Sequence, residues 1–251
     1  MPSFDSGGVT IDYLDEGDGP LIVLIHGFAS NRNVNWVGTG WVDILTKSGL
    51  RVVALDNRGH GKSEKLYEPQ AYRSHIMAGD VLALMDHLGA EHAALFGYSM
   101  GARIATFATL SAPERVSALI LSGLAANLVK GVGGGAMVVE ALEADDVSTV
   151  TDPEARKFRV FADQTKSDRR ALAACMRASR ELVSEEDAGT ITVPTLIVAG
   201  GDDEIAGSVD WLTERIPQSE GVVLAGRDHM TAVGDKTHKA EVLRFLTDHG
   251  V

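Results

Sequence analysis

One serine, one histidine and a short run of carboxylates stand in this chain in an order that suits acyl transfer. Ser99 lies in Gly97-Tyr98-Ser99-Met100-Gly101. Before it, His92-Ala93-Ala94-Leu95-Phe96 is an apolar run of the kind that makes a buried parallel strand. After it, residues 102–110 are rich in Ala, with no Pro or Gly, and read as a helix. Strand, Gly-x-Ser-x-Gly, helix describes a sharp turn that lifts a serine hydroxyl above a sheet. So tight a turn strains the serine backbone, and Gly97 and Gly101 spare it a Cβ clash with the neighbouring strand and helix. The turn also sets the Met100 N–H at a helix N-terminus, where it can donate to a developing anion. Without those flanks the pentapeptide would suit an ordinary Gly-rich loop as well as a nucleophile turn.

A serine hydroxyl needs a base, and the base needs a group to hold its tautomer. On a strand-turn-helix nucleophile, acid and base follow the serine in the chain, each just past a strand. Of the eight histidines, only His229, in Gly226-Arg227-Asp228-His229, meets both conditions. His238 falls in a predicted helix and His249 at the chain end. For the acid, the strand over residues 196–199 runs into Gly200-Gly201-Asp202-Asp203-Glu204, three adjacent candidates of which one at most can reach the histidine. The preceding strand offers Ser122, Gly123 and Asn127 but no carboxylate. An oxyanion hole needs two N–H donors aimed at one point. Met100 supplies the first, and Phe28, after the His26-Gly27 turn, supplies the second. His26 is read as a brace for that loop.

Positioning these groups calls for a sheet whose strands end along one edge. Residues 4–14 alternate apolar and polar around Gly7-Gly8, which predicts an antiparallel hairpin at a sheet edge. Residues 20–25, 51–55, 117–121, 193–199 and 221–225 read as further strands, and 36–48, 72–88, 208–215 and 236–245 as helices. Alternating strands and helices predict an α/β fold with a mostly parallel, doubly wound sheet. The strand pattern lapses over 126–192, where Gly131 to Gly135 reads as a hinge and helices are predicted over 136–144, 153–163 and 167–182. The expected organisation is a core of residues 1–125 and 193–251, with 126–192 inserted as a small helical cap near the C-terminal edge of the sheet. Met137, Phe158 and Met176 in that insertion suit an acyl pocket and suit a cap core equally well.

Composition narrows the partners. The chain has 251 residues, 45% hydrophobic, enough for one large domain. Its net charge of −12 repels nucleic acid and anionic lipid, so neither is an expected partner. A single cysteine, Cys175, forms no intramolecular disulfide and fits a cytoplasmic setting. The first residues show no signal-peptide pattern, and no apolar run reaches membrane-spanning length. No metal-ligand spacing occurs. Gly61-Lys62-Ser63 ends like a phosphate loop, but Asp56 occupies the place of its first glycine. No cofactor is expected, and the oligomeric state is not legible.

Taken in order, these pieces resemble the α/β-hydrolase superfamily. His26-Gly27-Phe28 looks like its oxyanion loop, Asp56-x-Arg58-Gly59-x-Gly61-x-Ser63 like its D-x-R-G-x-G-x-S turn, and Gly97 to Gly101 like its nucleophile elbow. Pro194-Thr195-Leu196 through Gly200-x-x-Asp203 is similar to its acid loop, whose last Asp is the catalytic one, so the resemblance selects Asp203. Gly226-x-x-His229 matches its histidine loop. The resemblance runs over about residues 9–246, with the insertion unmatched. Elbow and turn look like those of 3-oxoadipate enol-lactonases, small carboxylesterases and cofactor-free haloperoxidases. Ser99 speaks against haloalkane dehalogenases and epoxide hydrolases, which carry Asp there. The resemblance implies a serine hydrolase of a small-molecule ester or lactone: Ser99, Asp203 and His229 as triad, Phe28 and Met100 as oxyanion donors, the rate rising as His229 loses its proton. The alternative is a receptor-like relative that keeps the triad but turns over negligibly.

Overall fold

In the computed structural model, which describes residues 2–251, eight strands form one sheet. They are β1 (Ser3–Asp5), β2 (Thr10–Glu16), β3 (Leu21–Ile25), β4 (Arg51–Leu55), β5 (Ala93–Tyr98), β6 (Val116–Ser122), β7 (Thr195–Gly200) and β8 (Ser219–Leu224). Their order across the sheet is β1-β2-β4-β3-β5-β6-β7-β8. The hairpin β1–β2 joins β4 antiparallel, and every pairing from β4 to β8 is parallel.

The helices are α1 (Trp41–Lys47), α2 (Ser74–His87), α3 (Met100–Ser111), α4 (Asn127–Lys130), α5 (Gly135–Glu143), α6 (Pro153–Gln164), α7 (Arg169–Ala178), α8 (Glu185–Gly189), α9 (Val209–Thr213) and α10 (Lys236–Asp248). Alternation along each strand sorts side chains to two faces. Val23, Ile25, Leu95 and Leu119 pack with Val81 of α2 and Ile104 of α3. Ile22, Leu24, Phe96 and Ile120 pack with Trp41 of α1 and Phe245 of α10. Both faces are covered, which is why the central strands β3 and β5 are buried along their whole length.

Two elements differ from the sequence reading. The helix expected over 36–48 is broken into a single wide turn, Asn33–Val37, closed by the Gly38 N–H on Asn33 O at 2.7 Å, and then α1. Gly40, at φ 79°, is the break, because that left-handed conformation cannot continue a right-handed helix. The long helix expected over 167–182 stops at Ala178. Among the described residues no strand lies between β6 and β7; that stretch carries α4 to α8. It touches the loops at the strand ends, where Thr165 Oγ1 donates to Ala29 O (3.1 Å) and Tyr67 Oη to Asp168 Oδ2 (2.9 Å).

Candidate active site

Ser99 sits between β5 and α3 with φ 56° and ψ −113°, one of three non-glycine residues at positive φ among those described. Its neighbours show what enforces this. A Cβ on Gly97 would stand 2.2 Å from Gly101 O, and one on Gly101 would stand 1.9 Å from Ile25 O. Both approaches exclude any side chain. The Ser99 N–H is fixed by Ser122 O at 2.7 Å, so the strained residue is held from β6 as well.

The structure brings Ser99, His229 and Asp203 together. Ser99 Oγ lies 3.0 Å from His229 Nε2, and His229 Nδ1 lies 2.8 Å from Asp203 Oδ2. The other carboxylate oxygen of Asp203 accepts the N–H groups of Ile205 (2.9 Å) and Ala206 (3.0 Å). With a buried carboxylate on its Nδ1 side, the imidazole carries its proton there and turns the Nε2 lone pair to the serine. Tyr98 Oη donates to His229 O at 2.6 Å and fixes the loop bearing the histidine. Of the other two acids, Asp202 and Glu204 are exposed, and neither bonds to His229. Arg227 turns away to Asp235 (2.7 Å), while Asp228 accepts from the Thr231 N–H (2.8 Å).

The loop after β3 faces the serine from the other side. A Cβ on Gly27 would stand 3.4 Å from Ser99 Cβ. His26 is fully buried and bonded at both nitrogens: its Nε2 accepts the Asn57 N–H (3.0 Å), so Nδ1 holds the proton and donates to Gly27 O (2.8 Å). Burial pushes its pKa down to about 4, which keeps it neutral. Among the described residues, the Phe28 and Met100 N–H groups donate to no protein acceptor. Two unpaired N–H donors near a serine hydroxyl are what an oxyanion hole would require.

Asn35 was not legible in the sequence as part of this site. Only 6% exposed, it accepts the Gly27 N–H at Oδ1 (3.1 Å), and its Nδ2 has no partner among the described residues. The one local signal is the Gly38/Gly40 pair that tightens its turn. Asp56, Arg58 and Ser63 also separate by role. Asp56 accepts from Arg32 Nη1 (2.7 Å) and from the Lys62 N–H (2.8 Å), and Ser63 Oγ donates to Asp56 O (2.5 Å). Arg58 pairs instead with Asp80.

Two cavities meet at Ser99 and share Phe28 and Phe158 as walls. One, of about 300 Å³, is lined by Met100, Arg103, Met137, Phe158, Met176 and Arg180. The other, of about 700 Å³, contains His229, Tyr98, Asn35, Phe161 and Met230. Among the described residues no group of three or more metal-ligating side chains occurs, and no helix is long and apolar enough to cross a membrane.

Comparison with known proteins gives the same architecture. Epoxide hydrolase B of Mycobacterium tuberculosis is 41% identical over 106 residues, which is 41% of this chain and 28% of that protein. The match therefore spans less than a third of the length of that relative. The 2-(acetamidomethylene)succinate hydrolase of Mesorhizobium japonicum is 28% identical across 90% of this chain and 87% of its own. A hydrolase from Pseudomonas aeruginosa superposes with a TM-score of 0.81 at 25% identity, covering 98% of this chain and 97% of that one. The family model described as alpha/beta hydrolase fold matches residues 20–145, which run from the start of β3, past Ser99, to just beyond α5. With that match and a sheet of this order behind it, the chain belongs to the α/β-hydrolase family.

Proposed function

We propose that this chain is a serine hydrolase that cleaves small carboxylic esters or lactones through an acyl-enzyme, with Ser99, His229 and Asp203 as its triad. The observation that carries the reading is the continuous chain of contacts from Asp203 Oδ2 to His229 Nδ1 (2.8 Å) and from His229 Nε2 to Ser99 Oγ (3.0 Å). Ser99 Oγ attacks the substrate carbonyl as His229 takes its proton. The Phe28 and Met100 N–H groups hold the oxyanion. The imidazolium, steadied by Asp203, then gives its proton to the leaving oxygen, and water repeats the sequence on the acyl-enzyme.

Reaction geometry divides the two cavities. His229 lines the larger one only, and since it protonates the leaving oxygen, the alcohol portion departs on that side. The smaller cavity, on the Met100 side, receives the acyl group. A hydrolysed epoxide fits this site poorly. A serine oxygen that opened an epoxide would form an ether, which has no carbonyl for water to attack, whereas an acylated serine is an ester and turns over. Relatives described as hydrolases support hydrolysis as the reaction class.

The test is a burst assay with p-nitrophenyl esters of graded acyl length. Wild type should give a burst and steady turnover, and Ser99→Ala should lose about a millionfold in kcat with its fold intact. Full activity in Ser99→Ala would overturn the assignment. A burst without turnover would favour the receptor-like alternative.

A further inference from the structure

We infer that the acyl cavity selects substrates bearing a carboxylate on the acyl portion, held by Arg103 and Arg180. The inference rests on the assignment of the smaller cavity to the acyl group. That cavity is mostly walled by apolar side chains, yet two guanidiniums line it. Arg103 belongs to the nucleophile helix, and its backbone N–H bonds back to Ser99 O at 3.3 Å, one turn from the serine. Four residues of helix rise place its Cα about 6 Å along the axis from Ser99, and helical side chains lean toward the N-terminus, here the Ser99 end. Arg180 comes from two residues beyond α7 and lines the same cavity.

Neither arginine forms an ion pair with a carboxylate among the described residues. Arg103, 3% exposed, spends its Nη atoms on three backbone carbonyls, those of Asn127 (3.4 Å), Leu128 (3.2 Å) and Glu181. Arg180 Nη1 donates to Val132 O (2.8 Å) and Gly133 O (2.7 Å). No acceptor among the described residues takes the Nε of either, or Arg180 Nη2. The nearest acid in sequence, Glu181, points elsewhere, accepting the Ser74 N–H at 2.5 Å and lying 3.6 Å from His75 Nδ1.

The other acids at this cavity are also accounted for. Asp152 accepts the Ala155 N–H (2.7 Å), Glu154 pairs with Lys157 (2.5 Å), and Glu154 and Glu204 are exposed. Burial and the proximity of Arg180 lower the Arg103 pKa to about 10, with Glu181 opposing them more weakly, which still leaves Arg103 charged at neutral pH. Burial lowers the Arg180 pKa as well. A buried and a half-buried cation whose hydrogen-bond acceptors are all backbone carbonyls are an unbalanced arrangement, since charges removed from water are normally paired. A substrate carboxylate a few carbons from the scissile carbonyl would balance it. Arginine suits that task because its fork matches a carboxylate with two parallel hydrogen bonds.

The experiment compares p-nitrophenyl monoesters of glutaric and adipic acid with p-nitrophenyl pentanoate and hexanoate. The leaving group is constant, so only the acyl end varies. Wild type should favour the acid esters by about ten- to a hundredfold in kcat/KM, the scale of a charge-assisted hydrogen bond. In Arg180→Gln that preference ratio should fall at least tenfold, and Arg180→Lys should recover part of it. A loss of packing alone lowers both ester classes together and leaves the ratio unchanged; that result would overturn the proposal. So would wild type that prefers the neutral esters, and in that case the esterase reading would stand. Failure of every ester to acylate Ser99 would instead remove the reading beneath it.

Discussion

Two serine–histidine pairs lie in this molecule at nearly the same distance. Ser99 Oγ is 3.0 Å from His229 Nε2, and Ser122 Oγ is 2.9 Å from His238 Nε2. The tautomers are also alike, because His238 Nδ1 donates to Ala232 O at 3.0 Å and leaves Nε2 to accept the serine proton. What differs is everything around them. Ser122 and His238 are fully buried inside the sheet–α10 interface, with a neutral carbonyl where His229 has a carboxylate. Burial pushes the His238 pKa down to about 4, so an imidazolium there is disfavoured at the moment a base would need to form one. Ser99 stands on a strained turn at two cavities, facing two unpaired N–H groups. A hydrogen-bonded serine and histidine are therefore a structural tie by default. Access, a carboxylate and oxyanion donors make such a pair reactive.

The comparison can be broken most sharply at the carboxylate. Asp203→Asn keeps the shape but removes the charge and the tautomer preference, giving His229 a neutral partner as His238 has. It should lower kcat on esters by about ten-thousandfold. A loss under tenfold, measured by steady-state kinetics on purified folded protein, would mean that the carboxylate is not what separates the two pairs.

Acid should separate the pairs next. The buried histidines His26, His60 and His238 have pKa values pushed by burial down to about 4, 3 and 4. In the unfolded chain histidine titrates near 6.5, so between about pH 6.5 and 4 the unfolded state binds more protons and stability falls as pH falls. Above about pH 6.5 their contribution is complete. At pH 5 each should cost about 2 kcal/mol relative to pH 7.5. Urea unfolding at the two values checks this, and equal stabilities would show that these imidazoles are not held neutral.

The smallest effect belongs to the structural pair itself. Ser122→Ala leaves His238 Nε2 buried without its partner and should cost about 1–3 kcal/mol of stability. Ester kcat/KM should stay within about twofold of wild type, since Ser122 reaches the nucleophile only through its backbone carbonyl on the Ser99 N–H. Thermal melts and kinetics on the same sample test both halves. A large fall in activity without a fall in stability would put Ser122 inside the chemistry.

The candidate site was legible where local sterics decide the backbone. The turn at Ser99 shows in its own strand, two glycines and helix, which are contiguous in sequence, although β3 and β6 also hold it in place. The same holds for strands buried on both faces, which show as unbroken apolar runs. The helix over 36–48 was misread because its apolar pattern continues through the turn that Gly38 and Gly40 interrupt. Asp203 could not be separated from Asp202 and Glu204 by composition, since three neighbouring loop residues differ only in the direction their side chains take.

Sequence by itself placed the candidate residues along the chain, with Phe28, Ser99, the acids at 202–204 and His229 each following a strand. These are short-range facts, set by backbone sterics and the two-residue period of strands. Tertiary structure showed that the acid meeting His229 is Asp203, which the residues left open and the resemblance selected, and it alone decided that Asn35 holds the Gly27 loop and which serine–histidine pair is sealed in the core. It alone brought Arg103 and Arg180 to one cavity. Each of these joins residues distant in sequence, and a side chain's burial and partners follow from packing between elements, which no local pattern encodes.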